Sequence, residues 1–448
     1  MLRALGRALV PVLVAGTCLG AAPGPGITFT DTKLKNGLRV IISEDHVAPT
    51  VSVAVNYNVG SADERAGRTG FAHLFEHMMF KGSENVGPGE HWALVLNNGG
   101  TVNGTTNADR TLYFETLPAN QLELALFLEG DRMRSLDINK ANLDNQRNAV
   151  QEERRLRIDN QPYGQTYERL SEQVYDNFAY KHSTIGSMAD LNAATVDDVA
   201  TFFKTYYAPN NAVLSIVGDV DTKATLALVQ KYFGPIPAQP AAKRPDLAEA
   251  PHTAERRSMI DAPLARLARI DISWLVPPSG SPDGDALDVL QDLLAEGRSS
   301  RFNEVIVRQK QLATDTAARV EDSRGPGLFQ AFAAVAPGKS PADVEAAIYE
   351  EIEKVKTGPI ADWEIEKAHN TARRSAAGTA TSTLMRAIIL GQYALFYNDP
   401  NLINTHADRI VKVTAADVRR VAAKYLTKDN RSVIVTVPKP SAGRGGQQ

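Results

Sequence analysis

A short motif occurs twice in this chain, 219 residues apart. Thr195–Val199 reads TVDDV and Thr414–Val418 reads TAADV, and each begins a helix pattern with a threonine N-cap. The same offset pairs further positions: Tyr206 with Tyr425, and Asn211 with Asn430. A β-branched strand pattern follows in both copies, at 212–217 and 432–437. Because five matches at one offset would be hard to obtain by accident, the sequence predicts a duplicated domain.

The earlier parts of the two copies also correspond. Val51–Val59 alternates like a strand and precedes a helix pattern at Gly70–Phe80. Ala268–Val276 likewise precedes a helix pattern at Asp283–Glu296. We therefore expect an α+β fold of two homologous domains, each an antiparallel sheet with helices packed on it.

The predicted domain boundaries follow from a stretch rich in proline and alanine near the middle of the chain. This stretch predicts a linker at 237–256, between domains at 28–236 and 257–440. With 448 residues and 43% hydrophobic residues, the chain can form both cores. The net charge of −3 leaves no basic excess to bind nucleic acid.

The N-terminal residues 1–22 resemble a secretory signal peptide. Two arginines precede an apolar run that ends in small residues, and the run is short for a membrane span. A lipoprotein signal acylated at Cys18 is the alternative interpretation. Cleavage would leave a chain without cysteine and without a membrane span, in the periplasm or secreted. Any metal site must then use His, Asp and Glu.

A chemical motif lies on the first predicted helix. His73, Glu76 and His77 fall on one face of that helix, and the remaining positions are apolar. Imidazoles at i and i+4 can bind one metal ion, and the carboxylate between them can reach a water on that ion. The corresponding helix of the second copy contains no histidine, so only the first copy is expected to bind a metal.

The H-x-x-E-H order resembles the pitrilysin (M16, inverzincin) family of zinc peptidases, in particular bacterial two-domain chains similar to mitochondrial processing peptidase. The resemblance implies one Zn²⁺, with His73 and His77 as ligands and Glu76 as the catalytic base. The family's third ligand lies about 76 residues after the second histidine, which implies Glu153. The neighbouring Glu152 is the alternative. Gln146 stands where the family usually has a supporting glutamate.

A second segment also resembles the family. Gly99–Tyr113 matches an edge strand that binds the peptide substrate by β-addition, and this implies substrate contacts at Asn103, Gly104 and Thr105. Gly104 stands where the family has alanine. Without the resemblance, a turn followed by an ordinary strand would explain the segment equally well.

The resemblance further implies that the chain is half of a clam-shell and needs a partner. Family members use an Arg and a Tyr seven residues apart to hold the substrate carbonyl, and the matching positions here are Leu402 and Arg409. Arg386 and Tyr393 have the spacing but lie earlier in the chain. We therefore expect a heterodimer with a homologous subunit that supplies the pair. The alternatives are a non-catalytic scaffold subunit and a zinc-storage protein.

Overall fold

A computed structural model describes residues 26–321 and 323–439 of the chain. The predicted signal peptide at 1–22 lies outside the described residues. These residues form two sheets covered by helices, which confirms the predicted α+β class with two homologous halves. The strands predicted at 51–59, 212–217, 268–276 and 432–437 are present, with ends shifted by one or two residues.

The first sheet has the strand order β1-β2-β6-β3-β5-β4, and the second has the order β7-β11-β8-β10-β9. The strands of the first sheet are β1 (Thr30–Lys33), β2 (Arg39–Glu44), β3 (Thr50–Tyr57), β4 (Thr101–Thr106), β5 (Thr111–Pro118) and β6 (Ala212–Gly218). Those of the second are β7 (Arg256–Ala262), β8 (Arg269–Val276), β9 (Ala313–Glu321), β10 (Gly327–Val335) and β11 (Arg431–Pro438).

Each sheet departs from the predicted antiparallel pattern at one pair of strands. β6 is parallel to β2, and β11 is parallel to β7, while the other pairs are antiparallel. The reason is geometric. The last strand of each half inserts between two strands that run in opposite directions, so it must be parallel to one of them.

The helices of the first half are α1 (Phe71–Met78), α2 (Glu90–Asn97), α3 (Leu122–Arg134), α4 (Lys140–Arg154), α5 (Gly164–Val174), α6 (Phe178–Lys181), α7 (Met188–Asn192), α8 (Val196–Tyr206) and α9 (Thr222–Phe233). Those of the second are α10 (Pro282–Ala295), α11 (Pro341–Thr357), α12 (Asp362–Thr381), α13 (Thr383–Tyr397), α14 (Leu402–Ile410) and α15 (Ala415–Tyr425). A π-helical turn at Arg155–Asp159 continues α4.

The duplicated motif forms the same local structure in both halves. Thr195 and Thr414 each cap their helix in a capping box with an aspartate three residues later. The Asn211 side chain donates to the Tyr206 carbonyl at 2.8 Å, and the Asn430 side chain donates to that of Tyr425 at 2.8 Å. The residues that are identical in the two halves therefore form the same turn between the helix and the last strand.

The two halves exchange one helix each. From the second half, α13 packs on the first sheet, where Ala387 and Leu390 join a buried cluster with Ala54. From the first half, α5 packs on the second sheet, where Leu170 and Val174 join a cluster with strand residues of β8, β10 and β11. The segment predicted as a linker, 237–256, contains no helix or strand until β7 begins at Arg256. Each half therefore completes the core of the other.

None of the helices in the described part of the chain combines the length and the apolar character needed to cross a bilayer.

Candidate metal centre

The helix α1 presents the H-x-x-E-H motif on one face while its other side chains fill the core. Phe71, Leu74, Phe75 and Met78 are buried beneath it. This apolar anchoring fixes the rotation of the helix. The His73 and His77 rings consequently lie side by side, with centroids 4.8 Å apart.

Glu153 reaches the two histidines from the last turn of α4. Its Oε2 lies 3.5 Å from His73 Nε2 and 3.2 Å from His77 Nε2. One donor atom from each of the three residues lies within 4.8 Å of the others. Two imidazole nitrogens and a carboxylate oxygen are ligands that Zn²⁺ accepts, so the donor set fits a zinc ion.

Glu152, the alternative third ligand, faces away from this cluster. Its side chain is 66% exposed and pairs with Arg155. Neighbouring residues on a helix point about 100° apart, so only one of the two glutamates can face α1. The geometry favours Glu153, whose role as a ligand stays a prediction.

The electrostatics of the cluster favour metal binding. Burial, together with the neighbouring His77, lowers the pKa of His73 to about 4, so its ring is neutral at pH 7. A hydrogen bond with His77 lowers the pKa of Glu153 and keeps it ionised. Neutral imidazole and ionised carboxylate are the forms that bind a metal.

Glu76 lies beside the donor atoms and is only 9% exposed. The Thr106 hydroxyl on β4 donates to its Oε2 at 2.5 Å. Burial raises the pKa of this carboxyl, against the effect of that hydrogen bond. Thr106 was not singled out in the sequence, although it follows directly on the predicted substrate contacts.

The predicted substrate contacts Asn103, Gly104 and Thr105 lie on β4, which is the edge strand of the first sheet. A Cβ at position 104 would lie 3.1 Å from Glu76 Cγ, so the strand backbone runs directly against the glutamate. The edge is therefore available for strand addition next to the metal-site motif. That these residues bind substrate stays a prediction.

A cavity of about 230 Å³ opens between α1 and β4. Phe80 and Trp92 supply its aromatic wall, and Lys81 lies at its side. Gln146, which stands at the position of the family's supporting glutamate, also lines it and donates to Asn145. Phe80, Lys81 and Trp92 were not predicted as wall residues, because only the fold brings the turn after α1, the helix α2 and the strand β4 together.

The residues considered for the Arg/Tyr pair lie away from this centre. Arg386 and Tyr393 are on α13, which packs on the opposite face of the first sheet from α1. Arg386 pairs with Asp45, and Tyr393 contacts His406. Leu402 and Arg409 lie on α14, as part of the second half.

Two other clusters of histidine and carboxylate occur in the described residues: His91, Glu115 and Glu129, and Asp285, Asp288 and His406. An arginine already occupies each of them. Arg132 binds Glu129 through two nitrogens, and Arg409 binds Asp285 at 2.9 and 2.7 Å. In each of these clusters a guanidinium binds one carboxylate through two nitrogens. In the H-x-x-E-H cluster, Arg157 contacts Oε1 of Glu153 at 3.1 Å and Oε2 faces the histidines, so this cluster is the better metal site.

Comparisons with known proteins agree with this geometry. Residues 39–187 match the family described as insulinase (peptidase family M16), and residues 193–371 match the peptidase M16 inactive domain. Zinc protease PqqE of Helicobacter pylori is 30% identical over 405 residues, which is 90% of this chain and 91% of that protein. The chain belongs to the M16 peptidase family.

Other M16 relatives show how far the similarity extends. A probable beta subunit of the mitochondrial-processing peptidase of Arabidopsis thaliana is 25% identical and covers 93% of this chain and 79% of its own. The crystal structure of a protease from Helicobacter pylori has a TM-score of 0.88 at 28% identity, covering 92% of this chain and all of that one. The periplasmic protease PqqL of Escherichia coli shares the fold with a TM-score of 0.76 at 20% identity. The match covers 95% of this chain and 49% of PqqL.

Proposed function

We propose that this M16 chain is a zinc-dependent endopeptidase that hydrolyses short or unfolded polypeptides. The observation that carries the proposal is the convergence of donor atoms from His73, His77 and Glu153 within 4.8 Å of one another. Two imidazoles and one carboxylate leave a fourth position open, which is the pattern of a catalytic zinc site. The relatives named as zinc proteases support the same activity.

Zinc bound by these residues would polarise the scissile carbonyl and acidify a water molecule. Glu76 would be the general base, because its carboxylate lies on the same helical face as both imidazoles. It would accept a proton from the attacking water and pass it to the leaving amine. The Thr106 hydroxyl, at 2.5 Å from Glu76 Oε2, would hold the carboxylate in place.

The substrate would bind as an extended strand along β4. Main-chain hydrogen bonds at Asn103, Gly104 and Thr105 would recognise peptide amides and not a particular sequence, which suits unfolded chains. The adjoining cavity, with Phe80 and Trp92 in its wall, would accept one large apolar side chain of the substrate.

The active form would be a heterodimer with a homologous chain. The candidate positions for the Arg/Tyr pair are on α13 and α14, away from Glu76, so a second subunit would supply the oxyanion donors. The Arabidopsis relative is named as one subunit of its peptidase. The signal peptide predicted at 1–22, and the periplasmic location stated for PqqL, support export of this chain to the periplasm.

The test is to purify the chain, measure its metal content, and assay an unstructured peptide with and without the partner. The partner is a chain of the same fold that carries the Arg/Tyr pair and lacks H-x-x-E-H. We expect one zinc per chain, weak hydrolysis alone, and a gain of about 10²–10³ for each oxyanion donor that the partner supplies. A metal chelator should abolish the activity of both preparations.

Three results would contradict the proposal in different ways. If the purified chain contained no zinc, the proposed metal centre would be wrong. A zinc-loaded pair that hydrolyses no peptide would favour the scaffold or storage alternatives. Full activity of the chain alone would support the peptidase activity and contradict the heterodimer.

A further inference from the structure

The helix α1, which carries the metal-site motif, begins without a side-chain cap of its own. Its N-cap, Gly70, has a φ of 84° and no side chain to accept a hydrogen bond. Glu64 takes that role: its Oε2 accepts the Gly70 N–H at 2.9 Å and its Oε1 accepts the Ala72 N–H at 2.7 Å. A carboxylate at this position also interacts favourably with the helix dipole. Glu64 therefore fixes the start of α1.

The Glu64 carboxylate is fully buried, and its partner is His182. His182 Nε2 lies 3.0 Å from Glu64 Oε2, and its Nδ1 lies 2.8 Å from the Phe178 carbonyl oxygen. Because that carbonyl can only accept, Nδ1 must carry a proton, and a second proton is needed between Nε2 and the carboxylate. Burial acts to lower the pKa of His182, but the hydrogen bond and charge of Glu64, together with hydrogen bonds to the backbone, outweigh it and raise the pKa. The two side chains form a buried ion pair.

The segment His182–Ala194, which we call the brace, contacts the start of α1 twice more. Gly186 packs so closely that a Cβ there would lie 2.4 Å from Gly70 Cα. Asp190 Oδ2 accepts the Thr69 N–H at 3.0 Å and also the Thr69 hydroxyl. The start of α1 is therefore attached to the brace by an ion pair, a backbone contact and two hydrogen bonds.

The brace also holds α4, the helix that carries Glu153. Arg154, next to Glu153, donates to the Gly186 carbonyl at 2.6 Å. Arg147, two turns earlier, donates to the Leu191 carbonyl at 3.0 Å. One segment thus binds both helices of the candidate metal centre, and Gly186 contacts the two helices directly.

We propose that the brace sets the separation of α1 and α4, and that Glu64 and His182 are positioning residues for the metal centre. The inference rests on the proposed zinc site. His73 and His77 move together with α1 while Glu153 moves with α4, so the donor distances depend on what joins the helices. Metal-site geometry must be held to about 0.5 Å. A small shift of α1 would therefore change zinc affinity and the placement of Glu76 together.

The test uses Glu64→Gln, His182→Gln and the double variant, each in the full chain with the wild-type partner. Zinc affinity is measured by chelator competition, ligand geometry by the visible spectrum of the cobalt-substituted protein, and kcat and KM separately. We expect each single change to weaken zinc binding on the order of tenfold, shift the cobalt bands and lower kcat more than KM. Because the two residues act as a pair, the double variant should bind zinc no more weakly than either single variant.

His46→Gln is the matched control. His46 pairs with Asp219 at 2.7 Å on the surface, outside the brace and both helices, and its replacement should leave zinc affinity and kcat within twofold. Should a single variant fail to fold, the double variant, which leaves no unpaired buried charge, decides the question. Wild-type affinity, cobalt spectrum and kcat in a folded double variant would overturn the inference. Absence of zinc from the wild-type chain would instead defeat the proposed function.

Discussion

The candidate metal centre has a counterpart in the second half that carries opposite chemistry. His73-Leu-Phe-Glu76-His77 on α1 matches Asp288-Val-Leu-Gln291-Asp292 on α10, and the same offset pairs Gly82 with Gly297, both with positive φ. Carboxylates thus replace both imidazoles, and an amide replaces the glutamate.

The facing helix changes its charge accordingly. In the first half, α4 offers the carboxylate of Glu153 to the imidazole rings of His73 and His77. In the second half, α12 offers Lys367 and Arg374, whose charges act on the pKa of Asp292. Lys367 also donates to the Glu296 carbonyl at 2.7 Å. The second half therefore sets basic side chains against the carboxylates of α10, where the first half sets a carboxylate against two imidazoles.

The edge strands differ as well. In the first half, Glu76 accepts from the Thr106 hydroxyl on β4. In the second half, Gln291 Oε1 accepts the backbone N–H of Val320 on β9 at 2.6 Å. The amide at this position thus bonds the strand itself, whereas the carboxylate of the first half bonds a side chain.

The largest difference in kcat should appear between Glu76→Gln and Gln291→Glu. Replacing Glu76 removes the proton acceptor but keeps the size of the side chain, so kcat should fall by about 10²–10⁴-fold with zinc content unchanged. Gln291→Glu should leave kcat within twofold. Peptide hydrolysis with metal-verified protein checks both. Near-normal turnover of Glu76→Gln would show that the general base is another group.

Metal content provides the next contrast. His73→Ala and Glu153→Ala should reduce zinc from one ion per chain to none, because each removes a donor. The matched changes Asp288→Ala and Glu152→Ala should keep one ion. Metal analysis after dialysis distinguishes them. Zinc loss in Glu152→Ala with retention in Glu153→Ala would reverse the assignment of the third ligand.

The exchanged helices allow a comparison of stability. Leu390 on α13 and Leu170 on α5 are 0% and 5% exposed in the cores that the halves complete for each other. Leu390→Ala and Leu170→Ala should each lower the free energy of unfolding by about 2–5 kcal/mol. Denaturant unfolding should remain one transition in both variants. Two transitions, with only one of them shifted, would mean that the halves unfold independently.

The smallest expected effect concerns Asp292. Burial, with the charge of Glu296, raises its pKa from 3.8 to about 6, so the folded state holds this proton more tightly than the unfolded chain does. Stability from this residue is therefore present below about pH 4 and lost as the pH rises through 6. Asp292→Asn should raise Tm by about 1–3 °C at pH 8, with no gain near pH 4. The exposed Asp315→Asn serves as the control, and an equal gain at both pH values would exclude the ionisation of Asp292 as its cause.

Much of the fold could be predicted because its signals are local. Threonine caps, β-branched strands and a repeated Tyr and Asn each determine a structure within a few residues. The candidate site could also be predicted where its residues have helical spacing, as for His73, Glu76 and His77. Glu153 needed a family resemblance, because sequence alone cannot tell which of two adjacent glutamates faces a distant helix.

The roles that the sequence did not predict depend on contacts between distant segments. Thr106 and Glu64 look like ordinary polar residues until the fold brings one to Glu76 and the other to the start of α1. His182 contacts Glu64 across 118 residues of chain. The sequence pattern does not predict such a contact, because each residue is also compatible with its own local helix or turn.

The sequence by itself determined the two homologous halves, four of their strands with the helices beside them, and the helical face that carries the metal-site motif. Only the tertiary structure decided that α5 and α13 change places and that each last strand inserts between two antiparallel neighbours. The physical reason is that an amphipathic helix or an alternating strand specifies that an apolar face must be buried, but not against which partner. For α5 and α13 the partner is the sheet of the other half.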